Sequence, residues 1–407
     1  MGPSILSGGS ASACSFAEQK WNRRVACIAQ HVAGGGRFAE RASGSRQHRG
    51  TACRAAPAAA PLAGLPISLE DCSDADLCAY ICRGPLMRKS GIKPEDVLRD
   101  LDTWKDLGRK LVEQIGLNVR ELTEPDMARL FHYYLPAFMW CWRQLREHKT
   151  EHVKKGMTPS ALLIGMSAPQ GCGKSTLVES LETLFEYVGS RAAVISVDDF
   201  YLTYEGQNRL ADEHPENRLL ELRGNAGSHD LQLGTKTITA LKQLTRPGFS
   251  LRIPRYNKSA YGGRGDRKDP AKWPEIQSPI EVILFEGWML GFEPLPTEKV
   301  MEVDPQLGKV NEYLKDYHEA WHKHIDSWMV IEVQDPNWVF NWRLEAEVMM
   351  RASGKDGMTD EQVEDFVSRY IPAYKAYLPP LYSKGPRGST PLQLLRIAID
   401  QNRNPLG

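Results

Sequence analysis

An α/β fold, built on a parallel sheet flanked by helices and preceded by an N-terminal helical layer, is what three features of the sequence predict. Short apolar runs at Ala161–Met166, Ala193–Val197 and Val282–Phe285 each end in glycine-rich or acidic residues, as buried parallel strands do where they border a ligand crevice. Helical spacing follows the first run at Leu177, Val178, Leu181, Leu184 and Phe185, so strand and helix alternate. Two amphipathic segments lie upstream and supply the extra helical layer.

Residues 1–65 are expected to be an organelle transit peptide. Met1 to Leu69 holds eight basic and two acidic residues, so the zero net charge of the chain divides into +6 here and −6 in the rest. An Arg-rich, Ser/Ala-rich, acid-poor leader is the transit composition, and its many small residues favour the chloroplast stroma over the mitochondrion. Cleavage is expected between Arg54 and Pro66. The balanced charge argues against a nucleic-acid partner, and no apolar run is long enough to span a bilayer, so no membrane partner is expected either. A monomer is expected. The eight cysteines all lie at or before Cys172, which does not suit a secreted disulfide framework, and Cys78 and Cys82 lack a second ligand pair for zinc.

Residues 66–155 form the helical region. Pro94-Glu95-Asp96 predicts a helix start, with Val97, Leu98, Leu101, Trp104, Leu107, Leu111 and Ile115 as one apolar stripe. Thr123-Glu-Pro-Asp126 predicts the cap of a second helix running through Leu130, Tyr134 and Phe138 toward Glu147. Its dense aromatics read as packing.

Residues 156–407 carry the chemistry. Ser167-Ala-Pro-Gln-Gly-Cys-Gly-Lys-Ser-Thr176 is a phosphate-binding loop with Ala168 at the usual first glycine, so the sheet is expected to be of the P-loop NTPase type. Gly171 and Gly173 let backbone N–H groups turn toward phosphate at the positive end of the next helix, with Ala168, Cys172 and Thr176 completing the loop. Lys174 is expected to reach the β- and γ-phosphates of ATP, and Ser175 to hold Mg²⁺. Asp198, beside Asp199 at the second strand end, can accept a hydroxyl proton or hold Mg²⁺ through water; Glu286 is the second metal-side carboxylate. A helix cap or turn acid accounts easily for one of the two aspartates, and Asp198 is favoured over Asp199 for the chemistry. In a basic insertion over about 204–275, Arg223, His229, Arg255, Tyr256 and Lys258 are candidates for an anionic small substrate, since guanidinium matches carboxylate in a fork. Arg343 and Arg351, ahead of a glycine-bounded turn in the region 340–360, are candidate lid residues.

The order phosphate loop, Asp-Asp-Phe-Tyr, Glu-Gly resembles the phosphoribulokinase/uridine kinase class of P-loop kinases. Ser196–Thr203, Arg223-Gly followed by Gly227-Ser-His-Asp230, Pro254–Lys258, Glu286–Phe292, and Val363 through Arg369-Tyr370 to Leu381 resemble the plant-type D-glycerate 3-kinase family across residues 70–400. That resemblance implies an ATP- and Mg²⁺-dependent transfer to D-glycerate, yielding 3-phosphoglycerate, with Asp198 as the base and a photorespiratory role in the chloroplast. Another kinase of the class, acting on uridine, pantothenate or ribulose 5-phosphate, and an ATP-binding regulatory protein are the alternatives. Ala168, and Ser228 where threonine is expected, are mild departures.

Overall fold

Five strands build one parallel sheet: β1 (Leu162–Ser167), β2 (Ala192–Ser196), β3 (Val282–Gly287), β4 (Ser327–Val333) and β5 (Leu394–Ile399), in the order β2-β3-β1-β4-β5. The computed structural model describes residues 67–354 and 357–407. The transit expectation for 1–65, and the Lys355-Asp356 part of the lid turn, lie outside the described residues. The described residues cluster as one unit.

The central strands β1 and β3 are buried almost throughout, which accounts for their unbroken apolar sequences. Register is what places the chemistry. Met166 and Ser196 both pair with Glu286, so β1, β3 and β2 end at the same level and deliver the phosphate loop, Glu286 and Asp198 side by side.

The helical layer comprises α1 (Asp74–Arg83), α2 (Leu101–Gln114) and α3 (Leu135–Lys154). The single helix expected from Pro94 to Ile115 is two, Pro94–Arg99 and α2, because Asp100 leaves helical geometry at φ −108°, ψ 21°. The apolar stripe continues across this break, with Val97, Leu101, Trp104, Leu107 and Leu111 all buried. Helix α1, capped by Ser73 accepting from the Asp76 amide, carries Cys78 and Cys82. The capping box at Thr123 forms as expected, with reciprocal bonds of 3.3 and 3.0 Å to Asp126. Between that cap and α3, Ala128–Tyr134 is a π-helical turn. Phe138 of α3 packs edge-on at 5.1 Å against Phe185, which joins this layer to the helix after the phosphate loop.

That helix is α4 (Lys174–Tyr187), and α5 (Leu231–Gln243) follows β2. After β4 come α6 (Trp338–Ala352), α7 (Asp360–Ser368) and α8 (Ile371–Lys384). Two short antiparallel ribbons, Ser250–Arg252 with Glu275–Gln277 and Tyr256–Asn257 with Asp266–Arg267, form the insertion before β3. Among the described residues no helix is long and apolar enough to cross a membrane.

Candidate active site

The phosphate loop leaves β1 at Ser167 and enters α4 at Lys174. Gly171 and Gly173 adopt φ of 77° and 88°, the left-handed region where a side chain is strained, and Gly173 caps α4 with no side-chain bond to its first-turn amides. A helix opening in this way presents donors and the positive end of its dipole to an anion. Ala168 does not belong to that cradle, because its amide donates to the Gly287 carbonyl at 3.2 Å and so completes the sheet. The Gln170 amide is likewise taken by the Tyr374 hydroxyl at 3.1 Å. Cys172 is buried; burial pushes its thiol up to about 11 despite the neighbouring Lys174, so its contribution to the loop is backbone.

Lys174 Nζ lies 3.3 Å from Glu286 Oε2. Burial opposes its charge, but the carboxylates of Glu286 and Asp198 outweigh burial and raise its pKa, so the ammonium is secured. Glu286 Oε2 is buried at the mouth of the loop, facing the Lys174 ammonium. Together with the exposed Ser175 hydroxyl and Asp198 it forms an oxygen-only donor set, which fits Mg²⁺.

Asp198 and Asp199 sit on a 3₁₀ turn, Val197–Phe200, and a capping box separates their roles. Asp199 accepts the Ser196 amide at 3.1 Å and pairs with Arg255 at 3.1 Å, so its carboxylate is taken up by the turn and by the insertion. Burial dominates its balance and raises its pKa to about 6, against Arg255 and the Ser196 amide. Asp198 faces the site. Burial would raise it too, but Lys258 and Lys174, with hydrogen bonds from Lys258 and Tyr201, hold it at about 2.

The candidate substrate residues divide. Lys258 is ion-paired to Asp198. Arg223 donates to the carbonyls of Gly263 and Arg264 at 2.7 and 2.6 Å and lies 5.6 Å over the Tyr256 ring, tying down the loop that carries Lys258. Tyr256 meets Tyr201 edge-on at 5.3 Å and keeps a buried hydroxyl without a hydrogen bond. Arg255, by contrast, is not a substrate ligand here: its guanidinium bonds Asp199 and the Val194 carbonyl of β2. Nor is His229 a cation. Burial drives it down to about 3, its ring stacks on Tyr201 at 4.6 Å, and Nδ1 lies 2.7 Å from the Tyr317 hydroxyl. The Tyr317 oxygen also accepts the Gly227 amide at 3.1 Å, and His229 Nε2 is buried without a partner.

The lid arginines are committed elsewhere. Arg343 pairs with the buried Glu347 and lies 5.2 Å over Phe366, while Arg351 bonds the Met358 carbonyl and Asp360. What α6 presents to the loop is Trp342, against whose Cβ a side chain at Gly171 would come within 2.6 Å. Arg403, beyond β5, donates to the Gly171 carbonyl at 2.8 Å and to Glu345 at 2.8 Å, and lies 5.3 Å over Trp342.

A cavity of about 380 Å³ opens over the loop, lined by Gly171–Thr176, by Arg129, Tyr133 and Tyr134 of the π-helical turn, and by Asn402–Pro405. Sequence reasoning missed both flanks. The C-terminal one was findable, since residues following any parallel strand border the crevice. Arg129 was hidden inside an aromatic run read as packing.

The chain is 55% identical over 334 residues to the chloroplastic D-glycerate 3-kinase of Arabidopsis thaliana, spanning 82% of this chain and 73% of that protein. It is 37% identical over 254 residues to the uncharacterized kinase mug58 of Schizosaccharomyces pombe, 60% of this chain and 90% of the other. Among solved structures, a D-glycerate 3-kinase from Cryptococcus neoformans var. grubii superposes with a TM-score of 0.61 at 33% identity, over 67% of this chain and 97% of that one. No protein-family profile matches.

Proposed function

The chain belongs to the D-glycerate 3-kinase family, and from that premise we propose that it phosphorylates D-glycerate with ATP to give 3-phospho-D-glycerate. The observation that carries the reading is the position of Asp198, between the phosphate-loop lysine and a second lysine suited to a substrate carboxylate. ATP with Mg²⁺ supplies the transferable phosphoryl group and the charge that shields it. Ser175, Asp198 and Glu286 would hold the metal, and Gly171–Thr176 the phosphates.

The residues then divide the work. Lys258 exchanges its bond with Asp198 for the carboxylate of glycerate, freeing Asp198 to orient the 3-hydroxyl and take its proton. Arg223 keeps the Lys258 loop in register, and Tyr256 offers its free hydroxyl to the substrate. Lys174 holds the phosphoryl oxygens, and closure of α6 shuts out water. Arg129 and Arg403 flank the nucleotide cavity. The leader and the plant relative support a stromal, photorespiratory setting.

An ADP-release assay across D-glycerate, uridine, pantothenate and ribulose 5-phosphate tests this, run on the wild type and on Asp198→Asn. Release confined to D-glycerate is expected, falling by about 10²–10⁴-fold in the variant while ATP affinity is kept. Activity on a competitor alone overturns the substrate, and near-normal turnover in the variant overturns the base.

A further inference from the structure

We propose that Glu293, His318 and His322 form a second metal site, for a divalent transition ion of the zinc class, which braces the wall of the substrate pocket. Glu293 lies in the segment after β3. His318 and His322 are four apart across the helical turn Tyr317–Ala320 and the 3₁₀ turn that begins at His322, a spacing that puts both imidazoles on one face.

The donor atoms meet. The Nδ1 atoms of His318 and His322 lie 3.5 and 3.8 Å from Glu293 Oε1, and all three atoms lie within 4.8 Å of one another. Each of the three is buried without a hydrogen bond, and His322 is only 3% exposed. A hydrogen bond would draw such atoms to about 2.7–3.2 Å. Around a tetrahedral ion with bonds of about 2.1 Å, neighbouring ligand atoms stand about 3.4 Å apart, close to the two carboxylate–imidazole separations seen here. Two imidazoles and one carboxylate select a borderline metal rather than Mg²⁺, which separates this site in chemistry from the oxygen set at the phosphate loop.

One contact must open. His322 Nε2 accepts the Gly291 amide at 3.3 Å, whereas ligation through Nδ1 places the ring proton on Nε2. Loading therefore releases the Gly291 amide, which provides a spectroscopic marker. The consequence for the enzyme is positional: the braced segment carries Tyr317, which holds His229 and Gly227, and Trp321, which packs on Phe200 and Phe285.

The test uses the full chain, stripped with a chelator and dialysed against Zn²⁺ in excess Mg²⁺. One more zinc per chain is expected in the wild type than in Glu293→Gln or His318→Ala, whose affinity at this site falls by about tenfold or more. Zinc should raise the unfolding temperature of the wild type alone and shift its Gly291 amide resonance. Retained ATP binding in both variants shows that they fold, and His318→Gln serves should His318→Ala not. Equal zinc uptake in wild type and folded variants, or none in the wild type, overturns the site.

Discussion

Lys258 is the residue whose charge does most to set the chemistry of Asp198. It leads the attractions that hold that carboxylate at about 2 although burial pulls the other way. With its pKa so low, Asp198 is ionised across the working range, and its protonation limits activity only as pH falls toward that value. Lys258→Met removes the strongest opposing charge and leaves burial in place, so the pKa of Asp198 rises. The acid limb of the kcat/KM profile should therefore move to higher pH, with KM for D-glycerate up by about tenfold, the scale of one charged hydrogen bond. A pH–rate profile of the two proteins checks this; an unmoved limb separates Lys258 from Asp198. This pairing also shows what was hidden in the sequence. Lys174, Ser175 and Asp198 were legible because a phosphate loop and a strand end assign roles by position. Arg223 and Arg255 look alike in sequence, and only the folded path of the insertion turns one toward the Lys258 loop and the other onto Asp199. His229 stands among these cations as a candidate substrate contact, but burial and not residue type decides its charge.

Helix α6 works through a contact at each level of its first turns. Trp342 seats against Gly171, and Glu345 receives Arg403, which in turn bonds the Gly171 carbonyl. The lid expectation fell on α6, where Arg343 and Arg351 hold the helix to the Met358 turn and α7, through Glu347, Phe366 and Asp360. Helix periodicity can locate an element, but it does not say which neighbour each cation will meet. Arg403→Ala should weaken ATP binding by about 3–10-fold, the scale of one or two net hydrogen bonds, while changing kcat less. Calorimetric ATP titration beside steady-state kinetics checks the split. A kcat loss with unchanged ATP affinity would place Arg403 elsewhere in the cycle. The broken helix at Asp100 belongs at this scale too, because an intact apolar stripe concealed a change in backbone direction.

Across the whole molecule, strand order and register explain why an open parallel sheet could be read from three apolar runs. Each run ended in a residue that the crevice requires, and Met166, Ser196 and Glu286 do stand level. The helical layer was legible as packing, not as part of the site, because a lone Arg129 among aromatics carries no motif. Charge divides the molecule as well: the +6 of the first 69 residues against −6 in the rest leaves a kinase that attracts anions through local cations and not through a global field. A chain beginning at Ile67 should keep the kcat of the full chain within about twofold, as no group assigned to the site precedes it. Residues 1–65 fused to a fluorescent protein should direct it to plastids. Turnover lost on truncation, or fluorescence left in the cytosol, would refute these two expectations respectively.

The nucleotide cavity draws its walls from Arg129, the phosphate loop and Arg403, segments far apart along the chain. A polypeptide emerging from a ribosome therefore has its phosphate loop long before it has a complete cavity over it. The pocket is complete only once the last strand and the arginine behind it have joined the sheet.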